Sequence, residues 1–360
     1  MNALEKRFTA KLADAWKEAT PGLCVQAFSG GRKVIDLEIG DTYEIYDWAS
    51  LTKIVFTTTA LMFLHDEGRF KITDRVHDWV DWFPEDAPWR IRDLMTHSAS
   101  LAWWFPFYKE MSRRTNARTS PERAWEIFQS ILRPKILADL KRQRRKIAKP
   151  KSVYSDLDFF MLGIALEEIS EASLFETWRD VKERMGLELT DFNYGNKPKF
   201  ARSKYAPTEK GGFRKRTMQG EVHDENTWTL RGVAPHAGLF GPMNELSKWG
   251  LMLRAGMRGK ASKNFPTPET VQLFTKRSIP RTRGDWALGM MMPTKGTTSC
   301  GPKFSLKSVG HTGFTGTSLW YDPVKDLLVT ILSNRVHPTR ENRKFLELRP
   351  QIHSLIVDSL

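Results

Sequence analysis

Strand-like runs at both ends of the chain, with helices between them, predict an α/β fold. The expected architecture is an antiparallel sheet built from the two termini and flanked by helices, with an all-helical lobe inserted. Three observations carry this. A hairpin spans residues 23–40 after an opening helix, three more strand-like runs crowd residues 308–333, and the span from about Arg69 to Tyr205 reads mostly as helices and loops. Residues 1–70 and 221–360 are assigned to the α/β lobe and 71–220 to the helical lobe. A chain of 360 residues is long enough for two such lobes.

The chain opens on MNALEKRFTAKLADAW, an amphipathic helix with charges along its length. Leu23–Phe28 follows as a strand, Ser29-Gly30-Gly31 as a turn, and Lys33–Gly40 as a second, alternating strand. Ser50 to His65 is helical by period: Ile54, Phe56, Ala60, Leu61 and Leu64 form its apolar face, and Gly68 is a natural stop. The middle of the chain holds a tryptophan-rich patch at Trp79, Trp82, Trp89, Trp103 and Trp104. Pro121-Glu122-Arg123-Ala124-Trp125 starts a helix, because proline suits a first turn, and Phe159–Ile169 is a second apolar helix. Residues 197–220 are polar and glycine-bearing, and read as a long connection. Asn244–Met257 is helical again. The last strands are Ser308–Gly313, Thr317–Tyr321 and Leu327–Ser333, with Asp322–Asp326 as the turn between the final pair. A closing helix carries Phe345, Leu348, Ile352, Leu355 and Ile356 on one side.

A hydrophobic fraction of 40% and a charged fraction of 27% are those of a soluble globular protein, and no apolar run approaches the length needed to span a bilayer. The N-terminus lacks the apolar stretch and cleavage site of a secretory signal. A cytoplasmic location is expected if Met1 is the native start, and a periplasmic or secreted one otherwise. Two distant cysteines, Cys24 and Cys300, exclude a disulfide framework; one bridge stays open beside two reduced, buried thiols. There is no HExxH and no four-cysteine set, so no metal site and no cofactor is expected. The net charge of +14 is concentrated in part between Lys141 and Lys151. Such a run is either a solvated helix end or a surface for anionic species, and it lacks the interleaved aromatics of a single-strand binder. No specific nucleic-acid partner is expected.

Three short motifs carry chemistry. In Ser50-Leu51-Thr52-Lys53 the hydroxyl and amine stand one helical turn apart, so the amine can activate a hydroxyl that is otherwise a poor nucleophile. A serine at a helix start also feels the positive end of the helix dipole. Tyr154-Ser155-Asp156 supplies a phenol that can relay a proton beside an ammonium. His311-Thr312-Gly313 lies on a strand ahead of Phe314-Thr315-Gly316-Thr317, where backbone N–H groups can hold an oxyanion. Taken singly, each reads as easily as a helix cap, a core tyrosine and a strand fragment.

In this order, the three motifs resemble the serine β-lactamase and penicillin-binding protein superfamily, whose SxxK, Tyr-x-Asn and [KH]TG elements converge on one cleft. Asp93–Ser98, Val153–Leu157 with Gly163, Gly220–Asn226 and Gly232–Phe240 extend the likeness toward the class C-like esterase branch, from about Leu23 to Asn334. The resemblance implies a β-lactamase/transpeptidase-like fold and an acyl-enzyme on Ser50. By the same resemblance Lys53 is general base or proton relay. Tyr154 returns the proton or activates the deacylating water. The N–H groups of Ser50 and Phe314 hold the oxyanion, and Asp156, His311, Thr312, Gly313 and Phe314 line the substrate pocket. Two positions depart from the pattern: Asp156 stands where asparagine is usual, and Ser98-Ala99-Ser100-Leu101 lacks the usual glycine. A carboxylate cannot donate to a substrate carbonyl, and beside Lys53 it holds the amine charged.

The sequence therefore predicts a serine hydrolase that cleaves small esters or amides. A D-amino-acid peptidase acting on peptidoglycan peptides is the narrower rival, and a non-catalytic binding protein on the same scaffold is the rival from another class. Intact Ser50, Lys53 and Tyr154 speak against the latter. A third reading makes the basic segment primary, with nucleic acid or membrane as its target. Neutral His311 and acidic Asp156 favour uncharged acyl groups over carboxylated β-lactams. Trp103, Trp104, Phe105 and Phe107 are candidates for either lid or core.

Overall fold

A computed structural model of the chain describes residues 1–143, 151–296 and 298–360. Its first helix, α1 (Ala3–Leu12), is shorter than the opening pattern suggested; the chain turns at Ala13, whose φ of 45° ends the helix. Strands β1 (Gly22–Ser29) and β2 (Arg32–Gly40) then form a hairpin. Gly30 and Gly31, at φ 60° and 83°, make its two-residue turn in the left-handed region that residues without Cβ enter at no steric cost. Next come β3 (Tyr46–Asp47), a short helical stretch described with the site, and α2 (Thr59–Asp66).

The described residues between 71 and 220 hold five α-helices among loops: α3 (Ile91–Met95), α4 (Tyr108–Arg114), α5 (Pro121–Gln143), α6 (Asp156–Ser170) and α7 (Leu174–Met185). Near the end of this span lie the two-residue strands β4 (Asp191–Phe192), β5 (Lys210–Gly211) and β6 (Arg216–Thr217). The expected connection over residues 197–220 thus contains a small β5–β6 ribbon. Then follow α8 (Glu225–Thr229), β7 (Leu239–Gly241), α9 (Met243–Met257), α10 (Pro268–Thr275), β8 (Val309–Thr312), β9 (Ser318–Asp322), β10 (Leu327–Ser333) and α11 (Lys344–Val357). The basic segment from Lys141 to Lys151 falls largely outside the described residues.

The main sheet has the order β2-β1-β10-β9-β8, and each neighbouring pair is antiparallel. The first hairpin therefore meets the last strand in the middle of the sheet, with Leu23 opposite Ser333 and Ser29 opposite Leu327. Alternation along β1 sends Leu23, Val25 and Ala27 to one face, where Phe8 of α1 and Phe345, Ile352 and Ile356 of α11 cover them. Cys24 and Phe28 point to the other face and join a larger core with Trp249 and Leu253 of α9 and most of α6. Both cysteines are buried and free. A second, three-stranded sheet, β3-β7-β4, lies beside the start of the Ser50 segment. No helix among the described residues is long and apolar enough to cross a membrane.

Candidate active site

The Ser50 segment was expected to be one regular helix. Instead, Ala49–Leu51 is a 3₁₀ turn and Lys53–Thr58 a π-helical turn, and regular α-helix begins only at Thr59. Side-chain hydroxyls explain the departure. Thr52 Oγ1 donates to the Ala49 carbonyl at 2.7 Å, Thr57 Oγ1 to the Pro235 carbonyl at 2.6 Å, and Thr59 Oγ1 to the Ile54 carbonyl at 2.8 Å. Ala49 itself is left-handed, with φ 48°, a strain of about 1–3 kcal/mol just before Ser50. Asp47 holds that turn by accepting the Ala49 N–H at 2.8 Å. The loop after β8 grips it as well, since Thr315 Oγ1 donates to Asp47 O and Thr317 Oγ1 to Trp48 O.

The three motifs meet here. Lys53 Nζ is fully buried and donates to Ser50 Oγ at 3.0 Å, to Asp156 Oδ1 at 2.7 Å and to the His236 carbonyl at 3.2 Å. Those three acceptors use every hydrogen of an ammonium. Tyr154 Oη donates to the same Ser50 Oγ at 2.8 Å. Ser50 Oγ thus accepts from both neighbours, and its own hydrogen is left to point elsewhere. Burial disfavours charge on Lys53, but attraction to Asp156 and Tyr154, with their hydrogen bonds, outweighs it and holds the amine above its ordinary pKa. Burial pushes the Tyr154 phenol up to about 12 against the opposing pull of Lys53. At neutral pH the pair is an ammonium beside a neutral phenol.

Asp156 opens helix α6, whose N-cap is Ser155; the Ser155 hydroxyl accepts the N–H groups of Leu157 and Asp158. This cap turns the chain sharply after Tyr154, so that Tyr154 and Asp156 approach Lys53 from one side. His311, on β8, is 1% exposed. Its Nδ1 donates to the Thr312 carbonyl at 2.8 Å, and its Nε2 has no hydrogen-bond partner among the described residues. Burial and the nearby Lys53 charge push His311 down to about 3, so the ring is neutral. Gly313 N–H donates to Thr317 O at 2.7 Å and closes the turn that carries Phe314. Phe314 is half-exposed, stacks on His223 and packs beneath the Arg335 guanidinium.

A cleft of about 490 Å³ is lined by Ser50, Tyr154, Asp156, His311, Thr312, Gly313 and Phe314. Of the eight expected site residues only Lys53 does not line it; Lys53 lies behind Ser50. The aromatic run divides: Phe107 is core, Trp103 is 64% exposed, and Trp103 and Trp104 stack on each other at the cleft wall.

Other lining residues were not foreseen. His236, Asp224, Arg335 and Arg349 also face the cleft. His236 Nε2 lies 3.3 Å from Asp224 Oδ1. Arg335 and Arg349 are 2% and 6% exposed, and neither pairs with a carboxylate among the described residues. Their Nε atoms lack partners there too. Burial pushes both down to about 10, with further repulsion from neighbouring arginines. Arg349 left one trace in the sequence, because it interrupts the apolar stripe of Phe345, Ile352 and Ile356. Arg335, just beyond a strand, left none.

Residues 3–350 match the family model described as Beta-lactamase. A protein of Salmonella gallinarum named "Putative D-alanyl-D-alanine carboxypeptidase" is 30% identical over 332 residues, spanning 84% of this chain and 72% of that protein. Among solved structures, EstCE1, a hydrolase with promiscuous acyltransferase activity, superposes with a TM-score of 0.71 at 18% identity, covering 98% of both chains. An octameric penicillin-binding protein homologue from Pyrococcus abyssi gives 0.67 at 19% identity, over 95% of this chain and 76% of that one.

Proposed function

The chain belongs to the beta-lactamase family of serine hydrolases, and on that premise we propose that Ser50 is acylated by small esters or amides and then released by water. One observation carries the assignment of roles: Ser50 Oγ receives hydrogen bonds from both Lys53 and Tyr154 at the wall of the cleft. Lys53, once it has lost a proton, takes the Ser50 hydrogen as Oγ attacks the carbonyl carbon. The backbone N–H groups of Ser50 and Phe314 receive the developing oxyanion. The Lys53 proton then passes by way of Tyr154 Oη, 2.8 Å from Oγ, to the departing oxygen or nitrogen. Water repeats the cycle in reverse on the acyl-enzyme.

Intact-protein mass spectrometry with a fluorophosphonate should show one adduct, mapping to Ser50 and lost in Ser50→Ala. Lys53→Ala and Tyr154→Phe should each slow hydrolysis of p-nitrophenyl butyrate by about 10²–10⁴-fold. Labelling that survives in Ser50→Ala would sink the assignment.

Arg335 and Arg349 favour a second reading of the substrate. Two buried guanidinium groups without a carboxylate partner among the described residues suit a substrate that brings one, such as a short peptide with a free C-terminus. Neutral His311 and acidic Asp156 weigh against it. Comparing kcat/KM for a D-amino-acid dipeptide with a free or an amidated C-terminus decides between them. A preference for the free acid that disappears in Arg349→Gln supports the peptide reading, and equal rates exclude it.

A further inference from the structure

We propose that His97 is a positioning residue for this reaction, a buried bracket that holds Tyr154 against Ser50 by gripping the backbone on both sides of it. The inference rests on the reading that Ser50 and Tyr154 act together. Tyr154 lies in an extended segment, residues 151–155, that belongs to neither a helix nor a sheet. Such a segment has no ladder to fix it, so its backbone N–H groups must find other partners. Both N–H groups flanking Tyr154 find His97. Val153 N–H donates to the His97 carbonyl at 3.0 Å, and Ser155 N–H donates to His97 Nδ1 at 3.1 Å. The His97 ring also packs against the Tyr154 ring, with centroids 4.9 Å apart, and against Trp286 at 4.4 Å.

His97 is 0% exposed and left-handed, φ 53°, so the turn after α3 is wound tightly to present its carbonyl and its ring to the one extended segment. The proton arrangement follows from geometry. Nδ1 has a single lone pair, and it accepts from Ser155, so it carries no hydrogen. Asp158 Oδ2 lies 3.0 Å from the same Nδ1, and only a carboxyl that keeps its proton can share that lone pair with the Ser155 N–H, the two donors converging on one acceptor. Burial agrees on both sides, raising Asp158 well above the usual carboxylate range and lowering His97 well below the usual imidazole range. The contact is a neutral hydrogen bond and not an ion pair. Asp158 fixes the ring plane, and the ring fixes the Tyr154 backbone. His97 is not itself among the residues that line the cleft; it reaches the lining by its contact with Tyr154.

The test uses His97→Leu, His97→Asn, Asp158→Leu and Asp158→Asn in the full chain, with p-nitrophenyl butyrate as substrate and thermal unfolding as the check on folding. His97→Leu removes the Nδ1 acceptor. It should lower kcat on the order of 10²-fold, the cost of small misplacements at a reacting centre, while KM moves less than about threefold. Asparagine places an oxygen near the Nδ1 position, so His97→Asn should keep kcat within about tenfold of the parent. Asp158→Asn keeps a donor and should stay near the parent, whereas Asp158→Leu should follow His97→Leu. A folded His97→Leu with parental kcat overturns the proposal, and so does an Asp158→Asn as impaired as Asp158→Leu. If the parent itself takes no fluorophosphonate at Ser50, the acyl-enzyme reading fails and this inference falls with it. A labelled parent beside an unaffected His97→Leu overturns only the role of His97.

Discussion

Lys53 is a buried cation whose three donors are all engaged, and its carboxylate partner is the residue that departs from the usual motif. With Asp156 at 2.7 Å the amine is held above its ordinary pKa, so the ammonium persists to higher pH than a free lysine would allow. A base that must first lose a proton then gives activity that climbs toward alkaline pH. Asp156→Asn removes the attraction, lowers the Lys53 pKa, and should move the rising limb of kcat/KM to lower pH. An unmoved limb would mean that Lys53 does not set it. The sequence showed that Asp156 would hold Lys53 charged, because that follows from charge and motif order. It did not show the His236 carbonyl as the third acceptor, because that atom lies 183 positions away and only folding brings it to Nζ.

Among the elements, the turn after β8 is tightly constrained. A Cβ on Gly313 would lie 2.0 Å from Thr317 Oγ1 and 2.7 Å from the Trp48 carbonyl. Those atoms join the β8–β9 turn to the strained turn before Ser50. Gly313→Ala must therefore separate the two, and it should lower both kcat and the melting temperature; full activity with an unchanged melting point would show that the junction tolerates movement. The helix after Ser50 was legible as a helix because its apolar face repeats at helical spacing. Its 3₁₀ and π turns were not, because they depend on hydroxyls reaching carbonyls, one of them on distant Pro235. The β5–β6 ribbon escaped for a similar reason. Its strands are two residues long, and Lys210 N–H is tied to the Pro338 carbonyl far along the chain.

At the scale of the molecule, every strand of the main sheet comes from residues 22–40 or 309–333. β4, from before residue 220, pairs with β7 beyond it, and the larger core draws on residues from both sides of positions 70 and 220. Closure of the sheet by α11 makes stability depend on pH. His353 in α11 is 0% exposed and is pushed down to about 4, chiefly by burial. His311 is pushed down to about 3. Both folded values lie below the ordinary 6.5, so the unfolded chain binds more protons as the pH falls. Their contribution is complete above pH 6.5 and is lost progressively as the pH falls toward 4 and 3. The melting temperature should fall between pH 7 and pH 4 by several degrees, and by less in His353→Leu. An equal fall in both proteins would mean that His353 is not held neutral in the folded state.

The sequence alone determined the fold class, the five strands of the main sheet and the three motifs, because hydrophobic period, turn residues and local spacing act over a few positions. Ser50 and Lys53 are three residues apart, so their contact is nearly a local property. What only tertiary structure decided is whatever depends on groups brought together from afar. The central pairing of β1 with β10 is one such feature, and so are the Nε atoms of Arg335 and Arg349, unpartnered among the described residues, and the grip of His97 on the Tyr154 segment. A backbone N–H, a carbonyl or a missing counter-charge has no residue type of its own to announce it. It acquires meaning only when burial removes water and the neighbouring atoms become its sole partners.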